Sequence, residues 1–144
     1  MTQEINIVEA PDSGKKKIGV LCLAGLETFI KPIVAHWEEQ YNVRAYYGNS
    51  LHECVSIVDF SDVVFLEWAN QMAIEVSQKV PQLKDKKVIL RVHSYEVLSG
   101  FLTQINWAVI SKMIFVANHI RDIAIKQIPQ LPKLVDIHVV ANGV

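Results

Sequence analysis

Metal-ligating and disulfide chemistry are the first things this sequence lacks. It has two cysteines in 144 residues, no CxxC pair and no Cys/His set at metal-ligand spacing, so no metal is expected. Cys22 falls in a strand pattern and Cys54 on an apolar helix face, and both read as buried free thiols. Charge of one sign is also missing: 14 Lys and Arg stand against 15 Asp and Glu, a formal net charge of -1. No overall field draws the chain to polyanions, so no nucleic-acid partner is expected. The one basic cluster, Lys15-Lys16-Lys17, reads as a solvated strand start. No apolar run is long enough to cross a bilayer, and Met1–Ser13 carries Glu4, Glu9 and Asp12 in place of a signal peptide's apolar stretch. A soluble, intracellular protein is the expectation. Neither G-x-G-x-x-G nor G-x-x-x-x-G-K-[ST] occurs, which argues against dinucleotide binding and P-loop chemistry. Internal repeats and low-complexity segments are missing too.

What is present is a regular alternation. Hydrophobic residues make up 51% and charged residues 20%, enough apolar mass for one well-formed core. Residues 1–14 read as a flexible leader in which Ile5–Val8 could add a short strand, and residues 15–141 as the domain. Apolar runs at Lys17–Leu23, Asn42–Tyr47, Asp62–Glu67, the run from Lys87 up to His93, Met113–Ala117 and Asp136–Val140 read as strands. Several lack a strict period of two, the mark of strands covered on both faces.

Helical spacing fills the gaps. Leu26, Phe29, Ile30, Ile33, Val34 and Trp37 form one apolar face of a helix starting near Thr28, with Pro32 in its first turn. Ser50 and Glu53 have capping-box spacing ahead of Cys54, Val55 and Val58. A third helix runs through Met72, Ala73, Val76 and Val80 and stops at Pro81. Val97, Leu98, Phe101, Leu102, Ile105 and Ala108 predict one helical face after the fourth strand, with Phe101 and Trp107 in core packing. Asn118 is the expected cap of a helix through Ile120, Ile123, Ala124 and Ile128, which Pro129 and Pro132 end. Alternating strands and helices predict an α/β fold, a doubly wound Rossmann-like three-layer domain with a parallel sheet. Right-handed crossovers leave two strand orders open, 2-1-3-4-5-6 and 3-2-1-4-5-6.

Ligands in such sheets bind beyond the carboxyl ends of the strands. There the sequence places His93, with Ser94 as a helix N-cap and Glu96 in the first turn, where the helix dipole favours an acid. Glu67-Trp68 ends the third strand: a carboxylate has no packing reason to close an apolar run, and an indole can stack against a sugar or a base, the plainer expectation being an exposed strand-end acid beside a half-buried tryptophan. Gly25 follows the first strand; a lone glycine at such a turn reads first as a residue at positive φ, with close backbone approach by an anion as the alternative. Glu67, His93 and Glu96 together could form an acid/base set, since histidine titrates near neutrality and a carboxylate tunes it. His36, His52, His119 and His138 share no pattern and are assigned surface or packing roles.

With these residues placed, the chain resembles the amino-terminal half of a family 4 (group 1) glycosyltransferase of the GT-B type, in its bacterial polysaccharide or lipopolysaccharide branch. The resemblance is carried by Gly25-Leu26-Glu27-Thr28-Phe29-Ile30, Asp62–Trp68, Arg91–Glu96, Ile114–Asp122 and Val140–Val144, in that order and spacing. It implies two Rossmann-like lobes facing a cleft, the amino-terminal one holding the acceptor and the other the nucleotide sugar. It implies a catalytic role for His93, to which the acid/base set adds Glu67 as the second catalytic candidate. Donor or acceptor contacts fall to Gly25, Leu26, Glu27, Trp68, Ser94, Tyr95, Glu96 and Asn118. In the family the Gly25 loop approaches the donor diphosphate and the histidine reaches the donor sugar. Asn142 and Gly143, within residues 142–144, would begin the hinge to a donor domain that this chain lacks. The implied function is retaining transfer of a sugar from a nucleotide-sugar donor to a glycan or lipid-linked acceptor. The implied partners are a carboxy-terminal donor domain or equivalent subunit, the nucleotide sugar and the acceptor; no other cofactor is implied, and the fragment alone is expected to be inactive. The resemblance favours the 2-1-3-4-5-6 order and a cytoplasmic location, with attachment to the inner membrane face as an option. One departure stands out: Ala24 precedes Gly25 where the family usually has paired glycines. The competing expectations are a stand-alone flavodoxin-like binding or signalling module and a split subunit of a two-chain transferase.

Overall fold

A computed structural model describes residues 15–141. The leader with Ile5–Val8 and the hinge residues Asn142 and Gly143 lie outside the described residues. Six strands, β1 (Lys17–Cys22), β2 (Asn42–Tyr47), β3 (Val63–Glu67), β4 (Lys87–Val92), β5 (Lys112–Phe115) and β6 (Asp136–Val139), form one sheet. Every pairing is parallel and the order is 2-1-3-4-5-6. This is the doubly wound, Rossmann-like arrangement the alternation predicts.

The order follows from handedness. The crossover β1–α1–β2, through α1 (Lys31–Trp37), winds one way. The next, through α2 (Leu51–Phe60), returns past β1 to β3. A right-handed return must place its helix on the opposite sheet face. The core divides accordingly. Ile18, Val20, Cys22 and Phe65 pack with Ile30 and Val34 on the α1 side. On the other side Leu21, Val64, Leu66, Leu90 and Phe115 pack under α2, α3 (Gln71–Lys79) and α5 (Asn118–Gln127). Each fully buried leucine or valine there contributes about 1.5–3 kcal/mol relative to exposure. Gly19 lets α2 come close: a β-carbon there would collide with Ser61 Oγ and stand 2.7 Å from Ile57 Cγ2.

Several local expectations hold. Ser50 caps α2 by accepting the Glu53 amide, Pro32 falls in the first turn of α1, and both cysteines are buried and free. The continuous helix after β4 does not form. The chain makes one turn, α4 (Tyr95–Leu98), then reaches Gly100 at φ 78, and continues as 3-10 turns at Phe101–Gln104 and Trp107–Val109. Left-handed glycine ends a helix by turning its backbone out of the hydrogen-bond ladder. Val97, Leu102, Ile105 and Ile110 are anchored separately, while Leu98 is 70% exposed and Ala108 is at the surface. Helical spacing was matched by a string of short turns. The Asn118 cap is also corrected: α5 begins at Asn118, its N-cap is the extended Ala117, and no side chain caps it. Nor does Ser94 cap α4 through its side chain. Glu96 instead ties the preceding loop to the first turn, its Oε2 accepting the His93 amide at 3.0 Å.

Candidate functional site

Parallel strands bring all their carboxyl ends to one rim, and the 2-1-3-4 order makes the loops after β1, β3 and β4 neighbours there. The β3–β4 register sets Glu67 opposite Arg91. Side chains alternate along a strand, so Arg91 and His93 project to the same face as Glu67. The outcome is a buried cluster. Arg91 Nε donates to Glu67 Oε1 at 2.8 Å, Arg91 Nη2 to Oε2 at 2.6 Å, and His93 Nε2 lies 3.1 Å from Oε2. Glu67 is 1% exposed and His93 4%.

Burial by itself pushes the Glu67 carboxyl up, but hydrogen bonds from His93 and Arg91, together with the guanidinium charge, hold it below the usual carboxylate range. An ionised carboxylate only accepts. His93 Nε2 therefore carries the proton of that bond, and Nδ1 has no partner among the described residues.

Trp68 covers this cluster. It is the one non-glycine residue at positive φ among the described residues, at 75°. For a bulky side chain that conformation costs about 1–3 kcal/mol and persists only where the surroundings over-determine it. Three contacts do so: its amide donates to Arg91 O at 3.0 Å, its indole N–H donates to Leu26 O at 2.9 Å, and its ring stacks on His93 with centroids 3.7 Å apart. The turn ends β3 abruptly and swings the indole over the imidazole. Phe29, 44% exposed, comes within 5.3 Å of the His93 ring, and Tyr95 within 5.5 Å of Trp68.

Gly25, at φ 91, is exposed, and a β-carbon there would meet nothing within 4 Å. The glycine answers a backbone requirement, not a close approach. Its amide donates to Glu27 Oε1 at 2.7 Å, so an in-chain carboxylate occupies the place expected for an anion.

The structure thus gathers Gly25, Leu26, Glu27, Glu67, Trp68, His93, Tyr95 and Glu96 on one rim. Glu96 is wholly buried and binds the Ala69 and His93 amides through Oε2, which makes it a tie between the two loops. Ser94 is exposed beside them, and Asn118 is exposed at the start of α5 without a hydrogen bond to the cluster. Sequence reasoning missed Arg91, Phe29 and Asn70. Arg91 had a signal: a cation inside an apolar run, as Glu67 is an anion ending one. Phe29 fitted the apolar face of α1 but turns to the rim instead. Asn70 is buried, and its Nδ2 donates to the Tyr95 hydroxyl at 3.1 Å.

Comparison with protein-family models, curated proteins and solved structures finds no match. Nothing from outside the chain assigns the site. Function therefore rests on chemistry alone. Among the described residues no group of three or more His, Cys, Asp or Glu could hold a metal ion, and no helix is long and apolar enough to cross a membrane.

Proposed function

We propose that the chain is the acceptor-side lobe of a retaining glycosyltransferase, moving a sugar from a nucleotide-sugar donor to a glycan or glycolipid acceptor. The observation that carries this reading is the Arg91–Glu67–His93 cluster under Trp68, set beside the Gly25 turn at the point where the strand order reverses. The donor would be held by a second lobe or subunit across the rim. In the transfer, the bond from the sugar's anomeric carbon to the diphosphate breaks, a bond to the acceptor oxygen forms on the same face, and the acceptor's proton leaves with the diphosphate. Such a reaction needs alignment more than a strong base.

The cluster suits that task. Arg91 balances the Glu67 charge, Glu67 fixes the imidazole through Nε2, and Nδ1, which has no partner among the described residues, is the atom left to accept a sugar hydroxyl. Glu67, 1% exposed with its oxygens held by Arg91 and His93, acts here as a positioning residue. Trp68, Phe29 and Tyr95 offer apolar ring surface for the C–H faces of a sugar. The Glu27 carboxylate on the Gly25 amide marks a place that already favours an oxyanion, as a donor diphosphate in the family-like arrangement would require. A stand-alone phospho-receiver module is disfavoured by the end of β1, where Cys22 is followed by Leu23 and Ala24 in the place where clustered acids would be needed.

The test is twofold. In the complete enzyme His93→Ala should lower turnover about 100-fold, with urea unfolding run in parallel to separate loss of fold from loss of alignment. Unchanged turnover would remove His93 from the site. The isolated chain should bind nucleotide sugars weakly or not at all, and micromolar affinity would overturn the proposed division between lobes.

A further inference from the structure

Beyond the His93 cluster, a shallow groove of about 350 Å3 runs along α3 from the rim. Gln71, Ile74, Glu75, Gln78 and Lys79 line it on successive helical turns, and Phe101 and Gln104 form the facing wall, so polar amides alternate with apolar surface from Ile74 and Phe101. Its charge is balanced internally, because Lys79 Nζ meets Glu75 Oε2 at 3.2 Å. Gln78 Nε2 donates to the Gln104 carbonyl at 2.6 Å, which fixes the two walls together. The Gln78 oxygen and the whole carboxamides of Gln71 and Gln104 keep no partner among the described residues.

This chemistry selects a ligand class. Carboxamides offer donors and acceptors in equal measure, and a hydroxyl group is both. A phosphate or carboxylate ligand would find no unpaired cation in the groove. An alkyl chain would cover Ile74 and Phe101 but make no hydrogen bond to the glutamines. The groove is also joined to the His93 cluster by aromatic rings: Tyr95 lies 5.5 Å from Trp68 and 6.1 Å from Phe101. Tyr95 and Phe101 meet edge to face at 84°, so their faces suit a chain of puckered rings that turns, not one flat base held between parallel walls. Asn70, which holds the Tyr95 hydroxyl, immediately precedes Gln71.

We propose that the α3 groove is a subsite for the distal units of a neutral oligosaccharide acceptor whose reacting end lies over Trp68 and His93. The proposal rests on the acceptor-side reading and adds to it a preference for acceptor length. The probes are an array of neutral, amino and uronic-acid oligosaccharides of one to five units, with uridine as the planar control. Binding to the 144-residue chain is followed by NMR at the side-chain amides of the three glutamines and the Trp68 indole. Neutral ligands of three or more units should shift both sets of signals and bind about tenfold tighter than their monosaccharide. The Gln71→Ala/Gln104→Ala variant, altered only at exposed positions, should bring the longer ligands down to monosaccharide affinity. Binding that ignores length, or a double variant that binds like wild type, overturns the subsite and leaves the acceptor-side reading standing. Absence of binding by any oligosaccharide overturns both, and uridine shifts at the glutamines would make the groove a base site and overturn the proposal.

Discussion

Replacing Arg91 with methionine isolates the electrostatic logic of the site. Methionine keeps much of the volume and apolar stem of arginine, so little packing changes. What remains is the Glu67 carboxylate, 1% exposed, with His93 as its one side-chain partner. Removing one member of a buried ion pair costs about 3–5 kcal/mol, because the other charge stays desolvated. A domain of this size has about 5–15 kcal/mol in all, so the melting temperature should fall by about 10 °C. The pH dependence gives the sign. In the native chain Glu67 is held below its ordinary value of 4.5, so its contribution is complete above that value and disappears as pH falls through the lowered one. Without Arg91 the carboxyl rises, and protonation relieves the buried charge. The deficit of Arg91→Met should therefore be largest at neutral pH and shrink toward acid. Urea unfolding followed by circular dichroism at pH 7 and pH 4.5 measures both, with the midpoint shifting at constant slope. The double variant Glu67→Leu/Arg91→Met should recover most of the loss while leaving His93 without its anchor. A deficit under about 1 kcal/mol at pH 7, or one that grows in acid, would refute the reasoning.

Three further outcomes are expected. Gly19→Ala should destabilise by about 1–3 kcal/mol, because β1 and α2 have no room for a methyl group between Gly19, Ser61 and Ile57; thermal unfolding measures it, and a neutral result would mean that the helix moves away freely. Trp68→Phe keeps a ring over His93 but removes the indole bond to Leu26 O, at about 1 kcal/mol; faster amide hydrogen exchange around Gly25–Glu27 would register the loosened loop, and unchanged exchange would discount the tie. Burial pushes the Cys22 thiol up to about 12 and the Cys54 thiol up to about 11, so a disulfide reagent at pH 8 should label neither until urea unfolds the chain, whereas prompt labelling of the native protein would contradict their burial.

Much of this protein was determined locally. Apolar runs without a period of two specified strands covered on both faces. Their alternation with helical spacing, together with the fixed hand of the crossovers, left two strand orders, both of which bring the Gly25 and His93 loops to one rim. Local chemistry was legible at Ser50, which caps α2, but the same reasoning placed caps at Ser94 and Asn118 that do not form. It also failed where two conformations share one apolar spacing: Val97, Leu102 and Ile105 fit a helix, yet Gly100 in the left-handed region divides that segment into short turns.

The tertiary structure decided the distances. Glu67 and Arg91 are 24 residues apart, and only the β3–β4 register sets them side by side and beneath His93. The burial of Glu67 and Glu96, the positive φ of Trp68 and the turning of Phe29 toward the rim arise in the same way. Each depends on contacts between loops that meet only after the sheet has assembled. Patterns along a chain carry periodicity and handedness, because those belong to neighbouring residues. Register and desolvation belong to pairs of distant residues, and folding alone brings those pairs together.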